Sequence, residues 1–528
     1  MGVRIEKDAD TFLYGASQPA GNFLVREKEE NMEQKLIAVT VNKAGFEYDI
    51  HSLVKAFYPE CDVKVCVEGQ DDSYSSSEGY PDLLLRFFED KILLTLVKAE
   101  EEKGSASFGG RKVEISEDME RPEVKNRLKQ LIYVTLSEHT GKLLPWGTLT
   151  GIRPTKIPMT LLEQGMQEKD ILSYMKETYL VSEEKGLLSI DIAKREKELL
   201  STLHYKDGYS LYIGIPFCPT TCLYCSFTSY PIVSWKKRID DYLAALEKEI
   251  DFTAEIYKDK ILDTVYIGGG TPTTLEAEEL DRLLGKLKNT LDFSNVKEFT
   301  VEAGRADSIT EEKLAVLMKW GVTRISVNPQ TMKQETLDLI GRRHTVEQVK
   351  EAFHLARNMG FSNINMDLIL GLPGEKEEDV ARTIEAVKAL MPDSLTVHSL
   401  AIKRASRLNQ WIEENGITAL HNTDETMKIA AKGASDMDMV PYYLYRQKNM
   451  SGNFENVGYA KEGKFGIYNI LIMEELQTIV ALGAGSITKR VFEDGRIERC
   501  DNVKDVGLYI EKIDEMIERK QILLGEDL

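Results

Sequence analysis

The sequence predicts an α/β protein whose middle part is a parallel βα sheet or barrel of six units, with a smaller α/β domain before it and a less regular cap after it. Three observations predict this. Between about residues 206 and 400, strand-like runs alternate with amphipathic helical stretches. Polar and glycine-rich residues recur where those strands end. The first strand runs straight into three closely spaced cysteines, Cys218-Pro-Thr-Thr-Cys222-Leu-Tyr-Cys225.

Residues 1–31, including Gly15-Ala-Ser-Gln-Pro-Ala-Gly21, show neither apolar period nor motif. They are expected to be a loose extension, or else Met32 is the natural start, and a chain beginning at Met32 is expected to fold normally. Residues 32–205 read as an α/β domain. Strands are predicted at Leu36–Val41, Cys61–Val67, Asp82–Phe88, Lys91–Val97 and Arg111–Ile115, and helices at Pro122–Glu138 and Glu183–Leu203. A turn-rich loop, Pro145-Trp-Gly-Thr-Leu-Thr-Gly-Ile-Arg153-Pro-Thr-Lys156, lies between the helices and carries two cations.

The six strands of residues 206–400 begin at Leu211, Thr264, Glu298, Thr323, Asn363 and Ser394. Leu280, Leu283, Leu284 and Leu287 recur at helical spacing, as do Val380, Ile384 and Val387, and these stripes are core. In a parallel βα barrel the chemistry sits at the carboxyl ends of the strands. There the sequence places the cysteine loop, Gly268-Gly-Gly-Thr-Pro272, Glu302, Asn328-Pro-Gln330, Asp367 with Gly371-Leu-Pro-Gly374, and His398. Each alone has a plain structural explanation, but their convergence on one rim favours function. Residues 401–528 are expected to cap the barrel mouth.

Composition narrows the function. A net charge of −20 argues against a nucleic-acid surface, and an anionic substrate would need a local basic pocket. No apolar run is long enough to span a membrane and no signal peptide is visible, so a cytoplasmic protein is expected. Six cysteines in so long a chain do not make a disulfide framework.

The cysteine triplet is one thiolate short of a closed four-coordinate site. Three cysteines can hold three irons of a [4Fe–4S] cube and leave the fourth open to a small molecule. The plain alternatives are structural zinc or buried thiols. Zinc would need a fourth ligand, and Cys61, Cys66 and Cys500 are scattered.

The loop resembles that of the radical S-adenosylmethionine (SAM) enzymes, and the six βα units resemble their partial (β/α)6 barrel. Tyr212, six residues before the first cysteine, the Gly-Gly-Gly-Thr-Pro-Thr and Gly-Leu-Pro-Gly turns, and Gln330…Leu339-Ile-Gly-Arg342-Arg-His344 resemble the oxygen-independent coproporphyrinogen III oxidases. The N-terminal Thr-Gly-Ile-Arg-Pro-Thr-Lys loop is similar to their HemZ-type branch. The resemblance covers about 206–490. It implies a [4Fe–4S] cluster on Cys218, Cys222 and Cys225, and a SAM touched by Tyr212, Gly269 and Glu302. It also implies contacts to a second SAM from Tyr224, Gly270, Thr271, Gln330, Arg342 and Asp367.

The implied activity is oxidative decarboxylation of coproporphyrinogen III to protoporphyrinogen IX, fed by a low-potential donor such as flavodoxin or ferredoxin. Four substrate propionates ask for cations, and Arg153, Lys156, Lys403, Arg404, Arg446 and Lys448 are the candidates. Two features depart from the family pattern. Ser226-Phe227 stands where the best-characterised branch has a further cysteine two residues after the third. Glu455-Asn-Val-Gly-Tyr459-Ala460 stands where heme-carrying relatives have His-Asn-x-x-Tyr-Trp. The alternatives are a heme-binding chaperone, or a radical SAM enzyme acting on another tetrapyrrole.

Overall fold

The computed structural model describes residues 35–525 apart from 73, 99–106, 152, 228, 404–405, 417–419 and 447–453. The expectation for residues 1–31 therefore lies outside the described residues. The first five strands are β1 (Leu36–Val41), β2 (Asp62–Val67), β3 (Pro81–Phe87), β4 (Lys91–Lys98) and β5 (Ser107–Glu114), in sheet order β2-β1-β3-β4-β5. β1 runs parallel to β2 and β3, and β3 to β5 form an antiparallel meander. Alternation explains their burial: Leu83, Leu85 and Phe87 of β3 face inward and the residues between them are half-buried. The helices Glu47–Phe57 and Arg121–Thr140 close one apolar core with this sheet.

That core ends at Leu144. Trp146, Ile171, Met175, Val181, Ile190 and Ile192 already belong to the core of the larger sheet. The boundary expected near residue 205 is thus not where the apolar contacts divide, because the helices Glu168–Tyr179 and Glu183–Leu200 pack onto the second sheet.

The second sheet holds the predicted six strands: β6 (Gly208–Ile215), β9 (Ile261–Gly269), β10 (Glu298–Glu302), β11 (Arg324–Ser326), β12 (Ile364–Leu370) and β13 (Ser394–Ser399). Two short strands, β7 (Phe217–Cys218) and β8 (Tyr230–Pro231), pair across the base of the cysteine loop. The segment 401–528, expected as a cap, extends the sheet itself at both edges. It supplies β14 (Val440–Tyr445), β15 (Asn456–Ala460), β16 (Thr478–Leu482), β17 (Ile487–Val491) and β18 (Ile497–Asp501). The order is β14-β15-β13-β12-β11-β10-β9-β6-β16-β17-β18. β16 lies parallel to β6, so it adds a seventh parallel strand, whereas β15 runs antiparallel to β13.

Period-two alternation decides what each barrel strand shows to each side. Val265, Ile267, Phe299, Val301, Ile325, Val327, Met366, Leu368, Leu395 and Val397 join the apolar core. The alternate residues, Tyr266, Thr300, Glu302, Arg324, Ser326, Asn365, Asp367, Thr396 and His398, line a cavity. Filled barrels stack branched aliphatic side chains in the interior. This one is polar and tyrosine-lined, and so is a chamber rather than a core.

Candidate functional site

The cavity measures about 550 Å³ and runs from the cysteine loop into the barrel interior. β7–β8 pairing and the bond from Tyr230 N–H to Pro216 C=O (2.8 Å) shut the base of the loop. Its tip is pinned on the far side. Leu223 N–H donates to Ile340 C=O (2.9 Å), Thr220 Oγ1 donates to Gly341 C=O (2.9 Å), and Arg305 Nη1 donates to Thr220 Oγ1 (2.9 Å). Cys218, Cys222 and Cys225 all line the cavity as free thiols, and burial raises the thiol pKa of Cys218 and Cys225.

The glycine turn explains how the loop sits so close to β9. Gly270 N–H donates to Ile215 C=O (2.8 Å) and Thr271 N–H to Phe217 C=O (2.6 Å). A Cβ on Gly270 would lie 2.4 Å from the Phe217 carbonyl oxygen. Gly270→Ala is therefore expected to push the cysteine loop outward and to lower iron retention after anaerobic reconstitution. Iron content equal to that of the parent protein would refute this.

Glu302 ends β10 and accepts from Tyr266 Oη (2.5 Å). Burial, reinforced by Asp367 and opposed by the Tyr266 hydrogen bond, raises its pKa to about 7. Asp367 accepts from Asn365 Nδ2 (2.6 Å) and stands 3.9 Å from His398 Nε2. Its pKa is lowered: burial pushes it up, but the His398, Asn365 and Thr396 contacts outweigh burial. Gln330 sits at φ 69°, a strained conformation for a side-chain-bearing residue, where its backbone bridges to β12. Arg342 Nη1 donates to Asn328 C=O (2.6 Å), and its Nη2 to Tyr224 Oη (3.3 Å). The buried atoms Asn328 Oδ1, Gln330 Oε1 and Arg342 Nε have no hydrogen-bond partner among the described residues. Buried polar atoms left in this state call for a partner such as water, an ion or a ligand.

The structure thus gathers Cys218, Cys222, Tyr224, Cys225, Gly269, Gly270, Thr271, Glu302, Gln330, Arg342 and Asp367 around one cavity. Tyr212 stands apart. Its ring stacks on Tyr266 and Tyr468 at 6.2 Å, and it lines a smaller cleft with Gly269 and the Ala484–Ser486 turn.

The expected substrate cations divide. Lys403 lines the cavity, and burial lowers its pKa. Arg404 and Lys448 lie outside the described residues. Arg153, Lys156 and Arg446 are not in the lining. Arg153 Nη1 donates to Met473 C=O (3.0 Å) and Glu474 C=O (3.2 Å), and Nη2 pairs with Glu475 at 2.9 Å. Arg446 donates to Leu149 C=O (2.6 Å) over the Trp146 ring, and Lys156 is exposed at a helix start. Arg153 is a clamp on the end of the helix Ile467–Glu474, whose Tyr468, Asn469, Ile472 and Met473 face the cavity. Arg153→Ala is expected to lower unfolding free energy by about 1.5–3 kcal/mol, with iron loading unchanged, as read by denaturant melts. A melt superimposable on that of the parent would contradict the clamp.

Tyr266, Arg324, Tyr443 and Tyr468 also line the cavity, beyond the residues that the sequence singles out. For Tyr266 and Arg324 the signal was present, since they alternate with apolar residues on predicted strands. Tyr443 and Tyr468 come from the irregular last segment and carry none.

A site-differentiated [4Fe–4S] cluster asks for three thiolates on one loop beside a polar pocket, and this cavity offers that donor set. Among the described residues no three His, Cys, Asp or Glu side chains gather into a single-ion site. The fold is that of a radical SAM protein, and the Radical SAM superfamily model matches residues 212–387. The oxygen-independent coproporphyrinogen-III oxidase-like protein HemZ of Bacillus subtilis is 44% identical over 403 residues, 75% of this chain and 80% of that one. The heme chaperone HemW of the same organism is 40% identical over 195 residues, 37% of this chain and 51% of its own. Among solved structures, coproporphyrinogen III oxidase (HemN) from Escherichia coli gives a TM-score of 0.48 at 22% identity, covering 61% of this chain and 72% of its own. The chain belongs to the HemZ-type, oxygen-independent coproporphyrinogen III oxidase-like family of the radical SAM superfamily. Its cofactors are accordingly a [4Fe–4S] cluster and SAM. Among the described residues no helix is long and apolar enough to cross a membrane.

Proposed function

We propose that this protein oxidatively decarboxylates propionate side chains of coproporphyrinogen III to vinyl groups, giving protoporphyrinogen IX. The observation that carries the reading is the cavity, which joins the cysteine loop to a polar, tyrosine-lined barrel interior large enough for part of a tetrapyrrole. The HemZ relative supports it. Cys218, Cys222 and Cys225 would hold the cluster, with Gly269 and Glu302 around the SAM on it and Tyr212 behind Gly269 in the adjoining cleft. The unpartnered atoms of Gln330 and Arg342, with Tyr224, Gly270, Thr271 and Asp367, would receive a second SAM.

When bound, the cluster and SAM together supply a one-electron, hydrogen-abstracting chemistry that no side chain can. The chain's own residues bind and orient. Glu302, held near neutrality by burial, becomes a carboxylate counterpart once an ammonium enters beside it. The Arg342 guanidinium stays charged and matches a carboxylate. The loop pinned by Arg305 shields the cysteines, and the walls of Tyr266, Tyr443 and Tyr468 exclude water.

Heme carriage is the reading that the HemW relative raises. At the position of that branch's histidine, Glu455 is buried and accepts from Lys185 Nζ and Trp146 Nε1, each at 2.7 Å, so it is committed to packing. Anaerobically reconstituted protein given SAM, a low-potential donor and coproporphyrinogen is expected to release carbon dioxide and form protoporphyrinogen. Stoichiometric heme capture without SAM consumption would replace the proposal with the chaperone reading.

A further inference from the structure

The cavity reaches deeper than the residues that face the cysteines. Register places Tyr212, Tyr266, Thr300 and Arg324 side by side across β6, β9, β10 and β11. Glu302 and Ser326 pair one layer nearer the rim. Arg324 is 3% exposed and lines the cavity.

Its hydrogen bonds leave part of its donor set open. Nη2 donates to Ser394 Oγ at 2.9 Å, and Nε has no hydrogen-bond partner among the described residues. Among those residues Arg324 also forms no ion pair. Tyr442 and Glu298 favour its charge against the cost of burial, but the acids that share this interior make their hydrogen bonds elsewhere. Glu298 accepts from the Ile467 N–H (2.7 Å) and Tyr468 N–H (3.4 Å), Glu302 from Tyr266, and Asp367 from Asn365. A guanidinium does not lose its proton in a protein, so a buried one needs an anion or water. Beside it, Thr300 Oγ1 and Ser326 Oγ are buried and without partners. A guanidinium flanked by two hydroxyls is a donor set for a carboxylate. The rings of Tyr266 and Tyr468, stacked at 4.5 Å, and of Tyr443 offer an apolar, flat wall next to it.

We propose that Arg324, with the Thr300 and Ser326 hydroxyls, forms a carboxylate site on the floor of the barrel interior that seats one acidic arm of the organic substrate. The identity of that arm as a propionate of a tetrapyrrole rests on the function proposed above, whereas the anion site does not.

Thermal unfolding of the cluster-loaded protein in sodium propionate, against sodium chloride at equal ionic strength, tests the site. The parent is expected to show a saturable, propionate-specific rise in melting temperature. Arg324→Met should abolish it. Thr300→Val and Ser326→Ala, which leave the buried charge in place, should each weaken apparent propionate affinity about tenfold, and they keep the test open if Arg324→Met fails to fold. No propionate-specific rise in the parent, or a rise that survives in all three variants, would overturn the proposal. If saturating SAM alone erases the parent's response, the site belongs to the SAM carboxylate and the substrate assignment falls. Coproporphyrin, the oxidised tetracarboxylate, serves as second probe. Its affinity should fall with that of propionate in the variants. A propionate response without any coproporphyrin binding would sink the tetrapyrrole reading and leave the anion site standing.

Discussion

Simultaneous replacement of Cys218, Cys222 and Cys225 by alanine is expected to abolish iron–sulfur absorbance after anaerobic reconstitution, with SAM cleavage lost alongside it. The three thiols are the cysteines that line the cavity, on a loop closed by β7–β8 and pinned at its tip by residues 305 and 340–341. The other three cysteines are buried in remote strands and their flanks, Cys61 and Cys66 at β2 and Cys500 in β18. The control follows directly: alanine at Cys61, Cys66 and Cys500 should leave iron content and the visible spectrum as they were. Near-full iron in the first variant, or its loss in the second, would reassign the cluster.

The largest stability loss is expected at Glu249. Glu249 and Lys520 are both fully buried. The carboxylate accepts from Lys520 Nζ, from Gly483 N–H (2.7 Å), from Asn502 Nδ2 (2.9 Å) and from Tyr509 Oη (2.5 Å). One side chain on the helix Ile239–Ile256 thereby holds the end of β16 and the last two helices. Glu249→Ala leaves the Lys520 ammonium buried without its carboxylate, with Asn502 Oδ1 (2.5 Å) still accepting from it, which costs about 3–5 kcal/mol. The paired change Glu249→Leu with Lys520→Met removes both charges and is expected to recover most of that loss. Denaturant melts decide the matter, and a double variant no more stable than Glu249→Ala would show that hydrogen bonds to Gly483 and Asn502, not the charge pair, hold the C-terminal segment. Because Tyr242 Oη joins Gly214 C=O (2.6 Å) and the Ala484 N–H (3.2 Å) in the same region, the loss is expected to reach the strand that leads into the cysteine loop.

By itself the sequence determined the six barrel strands, the apolar faces of their helices, the cysteine loop and the residues at the strand ends. These follow from local causes, namely side-chain period, turn chemistry and the spacing of like residues along a few turns of chain. Glu302, Gln330 and Asp367 could be singled out for that reason and Arg342 through the family resemblance, and the structure brings all four to one cavity. Only the tertiary structure decided what the long-range contacts control. β16 inserts beside β6 as a further parallel strand, and the helices after residue 145 join the barrel core, because the apolar faces that meet there are far apart in sequence. From its rigid loop Arg153 reads as a substrate cation. The fold turns its guanidinium onto the carbonyls at the end of one helix, where hydrogen bonds outcompete an open pocket. Arg324 reads from sequence as one polar residue in a strand. Its register beside Thr300 and its burial with no ion pair among the described residues, neither of which a local pattern contains, single it out within the chamber.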